Sequence, residues 1–147
     1  MFSKSNNNNN NSSGKHMICD LTNIKNIELL NDSTKIKELF DNICKKYNYT
    51  ILNKMEHIFE PQGITILYLL SESHISIHTF PERNYAALDI YTCREYDNND
   101  IYKEIYEYII KEFKAEKEEP IIIDRRFTQG TYGSPETPPS QGNQGSP

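Results

Sequence analysis

A chain of 147 residues with 16 Lys and Arg against 21 Asp and Glu carries a formal net charge of -5, and its cations are dispersed, so it lacks the basic face that nucleic acid requires. No apolar run approaches the roughly 18 residues that cross a bilayer, and the N-terminus is an asparagine tract, not a charged-then-apolar leader, so no membrane role is expected and a cytoplasmic location is. Three cysteines, Cys19, Cys44 and Cys93, are odd in number and lack C-x-x-C pairing, which fits neither a disulfide framework nor a zinc ribbon and suits a reducing compartment.

Residues 1–14 hold an unbroken run from Asn6 to Asn11 followed by two serines, and 128–147 are dominated by Gly, Pro, Ser, Gln and Thr. Neither stretch has the apolar surface to offset the entropy of ordering, so two disordered tails are expected around one folded domain at 15–127. His16 to Leu21 opens that domain as a short strand. From Ser33 to Tyr47 the apolar positions Ile36, Leu39, Phe40, Ile43 and Tyr47 recur at helical spacing, with Asn31, Asp32 and Ser33 available as caps. Tyr49 to Phe59 and Ile64 to Leu70 are predicted strands on either side of the turn Glu60-Pro61-Gln62-Gly63, and the second is apolar on both faces, as an inner strand would be.

Ile75 and Ile77 alternate with His74, Ser76 and His78, the period of a half-buried strand, and Tyr85 to Cys93 supplies another. A second helix is predicted from Asp100 to Phe113, with Ile101, Ile105, Ile109 and Phe113 on one stripe, and Pro120 to Asp124 gives a last strand. The sum is an α+β two-layer sandwich, one antiparallel sheet with two helices on one face. Its other face is left needing cover.

Chemistry concentrates in one segment: Ser71-Glu72-Ser73-His74-Ile75-Ser76-Ile77-His78-Thr79-Phe80-Pro81-Glu82, followed by Tyr85 to Cys93. His74, His78 and Cys93 do not make a convincing zinc set, since no fourth ligand stands out. Cys93 alone would more often be a buried small hydrophobe than a catalyst, Cys44 sits on the first helix's apolar stripe, and His57 has no helpful spacing. No Gly-rich loop precedes a helix to cradle the phosphate of pyridoxal phosphate.

That segment closely resembles the self-cleavage and active-site region of prokaryotic-type S-adenosylmethionine decarboxylase proenzymes; the match is dense from His57 to Cys93 and looser out to Gly14 and Phe127. The resemblance implies cleavage between Glu72 and Ser73 into 1–72 and 73–147, with Ser73 becoming a pyruvoyl cofactor to which the substrate amine attaches. It further implies His78 as the processing base, Thr65 as its assistant in a place where the family usually has serine, and Cys93 as the proton donor in turnover. Phe59 is implied to stack on the adenine and Glu82 to hold the ribose hydroxyls. The implied function is decarboxylation of S-adenosylmethionine for spermidine synthesis by a homodimer. The alternatives are the same chemistry on ornithine or arginine, and a non-catalytic homologue that binds or regulates an active relative.

The sequence departs from the family pattern at Phe80, where tryptophan is usual, at Arg83-Asn84 and at Arg94, where glycine is usual. An added cation at Arg94 would either disfavour a sulfonium or pair a carboxylate. Strict alternation also puts Ser73 and His78 on opposite faces of a continuous strand, so a turn or bulge between them and a strained Glu72-Ser73 junction are expected.

Overall fold

The structure, a computed structural model, describes residues 11–127. Apart from 11–14 the two expected tails lie outside the described residues, and at 12–14 the expectation fails, because strand β1 (Ser12–Leu21) begins there. The reason is a partner far away in sequence. Ser12 and Gly14 pair antiparallel with Arg126 and Arg125 of β6 (Ile121–Arg126), and the Ser12 hydroxyl donates to Asp124 at 2.7 Å. Between them the chain runs α1 (Ser33–Lys46), β2 (Ile51–Ile58), β3 (Ile64–Leu70), β4 (Ser73–Phe80), β5 (Tyr85–Thr92) and α2 (Asp100–Phe113).

α1 starts where Asp32 accepts a hydrogen bond from the Lys35 N–H at 3.0 Å, satisfying one of the free donors of the first turn. It ends one residue before the expected Tyr47, and β2 starts two residues later than expected, because the Tyr49 N–H is spent on the Cys44 carbonyl at 2.8 Å. α2 matches its expected range and stops at Lys114, which turns left-handed at φ 50°.

The strands form one antiparallel sheet in the order β2-β3-β4-β5-β1-β6. Met17, Leu21, Ile66, Tyr68, Ile75, Ile77, Leu88 and Ile90 are buried on one face, beneath both helices. Each such side chain contributes about 1.5–3 kcal/mol relative to exposure. Phe40 of α1 meets Tyr68 edge to face at 5.3 Å between ring centroids, and Tyr102 of α2 shares a 2.8 Å hydrogen bond with Thr92. Together these fix α1 over β3 and α2 over the end of β5.

Among the described residues, no layer lies on the opposite face. Met55, Leu67, Leu69, Ile121 and Ile123 stand exposed there, the first at 63%. β3 is thus apolar on both faces as expected, yet its outward leucines have no cover among the described residues. β4 pairs without interruption with both β3 and β5, so the bulge expected between Ser73 and His78 is not present. Among the described residues no helix is long and apolar enough to cross a membrane.

Candidate active site

Ser71 and Glu72 form a two-residue connection between β3 and β4, closed by the pair Leu70 and Ser73. Tight hairpins favour positive φ at the two central residues, because that twist matches the flanking strands. Neither Ser71 nor Glu72 has positive φ; the mismatch falls on Ser73, whose φ is 154°. That is a region populated almost only by glycine, costing of order 1–3 kcal/mol for another residue. The expected strain is therefore present, located at the Ser73 backbone.

Glu72 is held from both ends. Its carbonyl accepts the Cys93 N–H at 2.8 Å, which sets the end of β5 against the Glu72-Ser73 bond. Its carboxylate accepts from the Thr50 N–H at 3.1 Å and faces Arg94 Nη2 at 3.0 Å. Burial alone would push the Glu72 carboxyl up, but the Ser71 hydroxyl, the Thr50 N–H and Arg94 together hold it below its ordinary value. Cys93 is exposed and lies one residue beyond Thr92, the register partner of Ser73. Cys19 and Cys44 are buried, and burial, reinforced by nearby carboxylates, pushes both thiols up to about 12. Of the three, only Cys93 is exposed.

Gly14 is a residue whose role here the sequence left unread. It has φ 113°, and a Cβ there would sit 2.0 Å from the Thr92 carbonyl oxygen and 2.6 Å from the Cys93 Cα. Only a glycine lets β1 lie this close behind the Cys93 backbone.

A second cluster sits at the other end of β4. The Thr65 hydroxyl and His78 Nδ1 are 2.8 Å apart, a contact that fixes the imidazole and leaves Nε2 for another partner. Both line a cleft of about 380 Å³ together with Phe59, Phe80 and Glu82. Phe59 is 48% exposed, and His57 packs edge-on against it at 4.5 Å, which gives His57 a packing role. The structure thus joins Thr65, His78, Phe59 and Glu82 in one cluster, and Glu72, Ser73 and Cys93 in another.

The two clusters do not meet within one chain. His78 is five residues further along β4 than Ser73, roughly 16 Å at about 3.3 Å per residue. Ser73 also pairs with Leu70 and Thr92, whose side chains are buried under the helices, while His78 pairs with Thr65 and Ala87 on the open face.

Arg94 is committed to the protein itself. Besides Glu72 it donates to the Tyr47 carbonyl at 2.7 Å and to the Asn48 carbonyl, and its guanidinium lies 5.2 Å from the centre of the Tyr49 ring. It is therefore not a free cation awaiting a ligand. His74 faces away from the helices, in ring contact with His16 and Tyr91 at 6.0 Å, and no group of three His, Cys, Asp or Glu among the described residues could hold a metal ion.

Comparisons with known proteins bear on the family and the fold. A sequence model of the S-adenosylmethionine decarboxylase family matches residues 15–126. An S-adenosylmethionine decarboxylase proenzyme of Prochlorococcus marinus is 46% identical over 80 residues, an alignment covering 54% of this chain and 63%, under two thirds, of that protein. One of Brevibacillus brevis is 40% identical over 104 residues, covering 71% of this chain and 75% of the relative. Among solved structures, the adenosylmethionine decarboxylase of Aquifex aeolicus VF5 superimposes with a TM-score of 0.68 at 28% identity, covering 90% of this chain and 98% of that one. With both strand-end clusters built from residues inside the matched region, the chain belongs to the S-adenosylmethionine decarboxylase family.

Proposed function

We propose that this chain cleaves itself between Glu72 and Ser73 and then decarboxylates S-adenosylmethionine. The observation that carries the reading is the state of that one bond: Ser73 is strained at φ 154° while the Glu72 carbonyl is held by the Cys93 N–H at 2.8 Å. Strain raises the ground state of the peptide, and an aligned N–H donor steadies negative charge on the carbonyl oxygen during attack. The names of the relatives, which are proenzymes, support the same reading.

Bond by bond, the Ser73 hydroxyl adds to the Glu72 carbonyl carbon and the C–N bond between them breaks. The freed nitrogen takes up the hydroxyl proton, so the amide becomes an ester. Loss of the Cα proton of residue 73 then expels the Glu72 carboxylate by breaking the Cβ–Oγ bond. The enamine left behind isomerises to an imine, and water displaces its nitrogen as ammonia, leaving a pyruvoyl group. A serine at the mouth of a tight turn, beside an exposed thiol, fits such a self-made carbonyl.

In turnover that group supplies the electron sink for the pair released with carbon dioxide. The chain's own residues bind and move protons. The Cys93 thiol donates the proton to the substrate Cα. Phe59 offers an exposed ring for a flat purine, and Glu82, on the same cleft, a carboxylate for a vicinal diol.

His78 serves as the processing base, oriented by Thr65. Since it cannot reach Ser73 of its own chain, the reading requires a homodimer. Two open faces packed with their β4 strands running oppositely close the distance between the Ser73 end of one copy and the His78 end of the other and cover Leu67 and Leu69; because register puts Ser73 on the helix side of β4, the reading also requires its hydroxyl to turn toward the open face at the strand end. A reducing cytoplasm suits an enzyme that depends on a free, exposed thiol.

The test is carbon dioxide release by cleaved protein offered S-adenosylmethionine, ornithine or arginine. Release from S-adenosylmethionine is expected, and Cys93→Ala should still cleave while losing turnover by about 10²-fold or more. Release from ornithine or arginine alone, or undiminished turnover by the Cys93 variant, would overturn the assignment.

A further inference from the structure

The Arg94 contacts form a single tether. Its guanidinium reaches Glu72 on one side and the Tyr47 and Asn48 carbonyls, at the end of α1, on the other. The Glu72 side chain is only 13% exposed and that of Arg94 33%, so the pair is shielded more than an ordinary surface pair. The same loop supplies the Thr50 N–H to Glu72 and accepts the Ser71 N–H on the Thr50 carbonyl at 2.9 Å. Beneath the guanidinium, the Tyr49 and Tyr96 hydroxyls are 2.9 Å apart, tying β2's approach to the segment after Cys93.

We propose that Arg94 is a positioning residue for self-cleavage: by fixing the Glu72 side chain to the α1–β2 loop, it keeps the turn from relaxing and so preserves the strained geometry at Ser73. This rests on the self-processing reading above. A residue next to an unfavourable φ can relieve it by rotating its own backbone. Glu72 is denied that freedom because its carbonyl is pinned by Cys93 and its carboxylate by Thr50 and Arg94, and a strained conformation persists only where its surroundings over-determine it. Arg94 suits the task because a planar fork serves a carboxylate and two carbonyls at once, and because its charge is thereby directed into the loop. It acts on cleavage without touching the reacting atoms.

The experiment follows the appearance of the 73–147 fragment with time after translation in a cell-free system, for the unaltered chain, Arg94→Gln, Glu72→Gln, the double variant and Arg94→Lys. Arg94→Gln and Glu72→Gln should each slow cleavage on the order of tenfold, and the double variant should be no slower than the slower single one. Arg94→Lys, which keeps the charge opposite Glu72 but not the fork, should recover part of the rate. Unfolding midpoints of Arg94→Gln and Arg94→Lys, measured in a Ser73→Ala background that stays uncut, should be alike while their cleavage rates differ. Cleavage of Arg94→Gln at the unaltered rate, losses that multiply in the double variant, or equal rates for Gln and Lys at position 94 would each overturn the proposal. Glu72→Gln keeps every main-chain contact and carries the test alone should Arg94→Gln fail to fold. An unaltered chain that never yields fragments sinks the self-processing reading instead, a result distinct from all of these.

Discussion

Ser73 holds a backbone conformation that suits glycine, and that is the residue from which the chemistry is argued. The strain has a thermodynamic signature. Ser73→Gly and Ser73→Ala both remove the nucleophile, yet only glycine relaxes at φ 154°, so Ser73→Gly should be the more stable by about 1 kcal/mol despite its greater unfolded-state entropy. Urea unfolding of the two uncut proteins measures this, and an alanine variant as stable as the glycine one contradicts the strained junction. At this scale the sequence was most legible where the motif is linear: Ser73, His78 and Cys93 fall in one short stretch. The Arg94–Glu72 pair was not, because it joins positions 22 residues apart through a loop conformation that spacing does not encode. An unusual arginine was visible, but the carbonyls that absorb it were not.

The two amphipathic helices were legible as elements because burial of one stripe at a period of 3.6 is a local property, and Asp32 acts as the cap its position suggested. The start of β1 was misread, since the Ser12–Asp124 contact spans 112 residues and composition around Ser12 resembles a tail. Gly14 shows what that pairing supports. With φ 113° and a virtual Cβ 2.0 Å from the Thr92 oxygen, Gly14→Ala should push β1 off the end of β5 and cost about 3 kcal/mol or more, with the Cys93 N–H displaced from Glu72. Denaturant unfolding in a Ser73→Ala background gives the first quantity, and a cost below about 1 kcal/mol would mean the close approach is not needed.

Across the whole molecule, one face of the sheet lies under helices and the other offers Met55, Leu67 and Leu69 to solvent, next to a His78 cluster that cannot reach Ser73. Alternation made the open face legible; the bulge expected to unite Ser73 and His78 is absent from β4, and the proposed pairing of two copies addresses only their separation along the strand. Leu67→Lys with Leu69→Lys places like charges at the centre of the proposed contact and should yield a folded monomer by sedimentation. That monomer should stay uncut, and an efficiently cleaving monomer would show that His78 of the partner subunit is not required. The most direct test of the central claim is the intact mass of freshly purified protein under denaturing conditions, before and after borohydride reduction. Two fragments divided before Ser73 are predicted, the C-terminal one gaining two hydrogens at its blocked first residue, whereas one uncut chain that nonetheless releases carbon dioxide from S-adenosylmethionine would contradict the account.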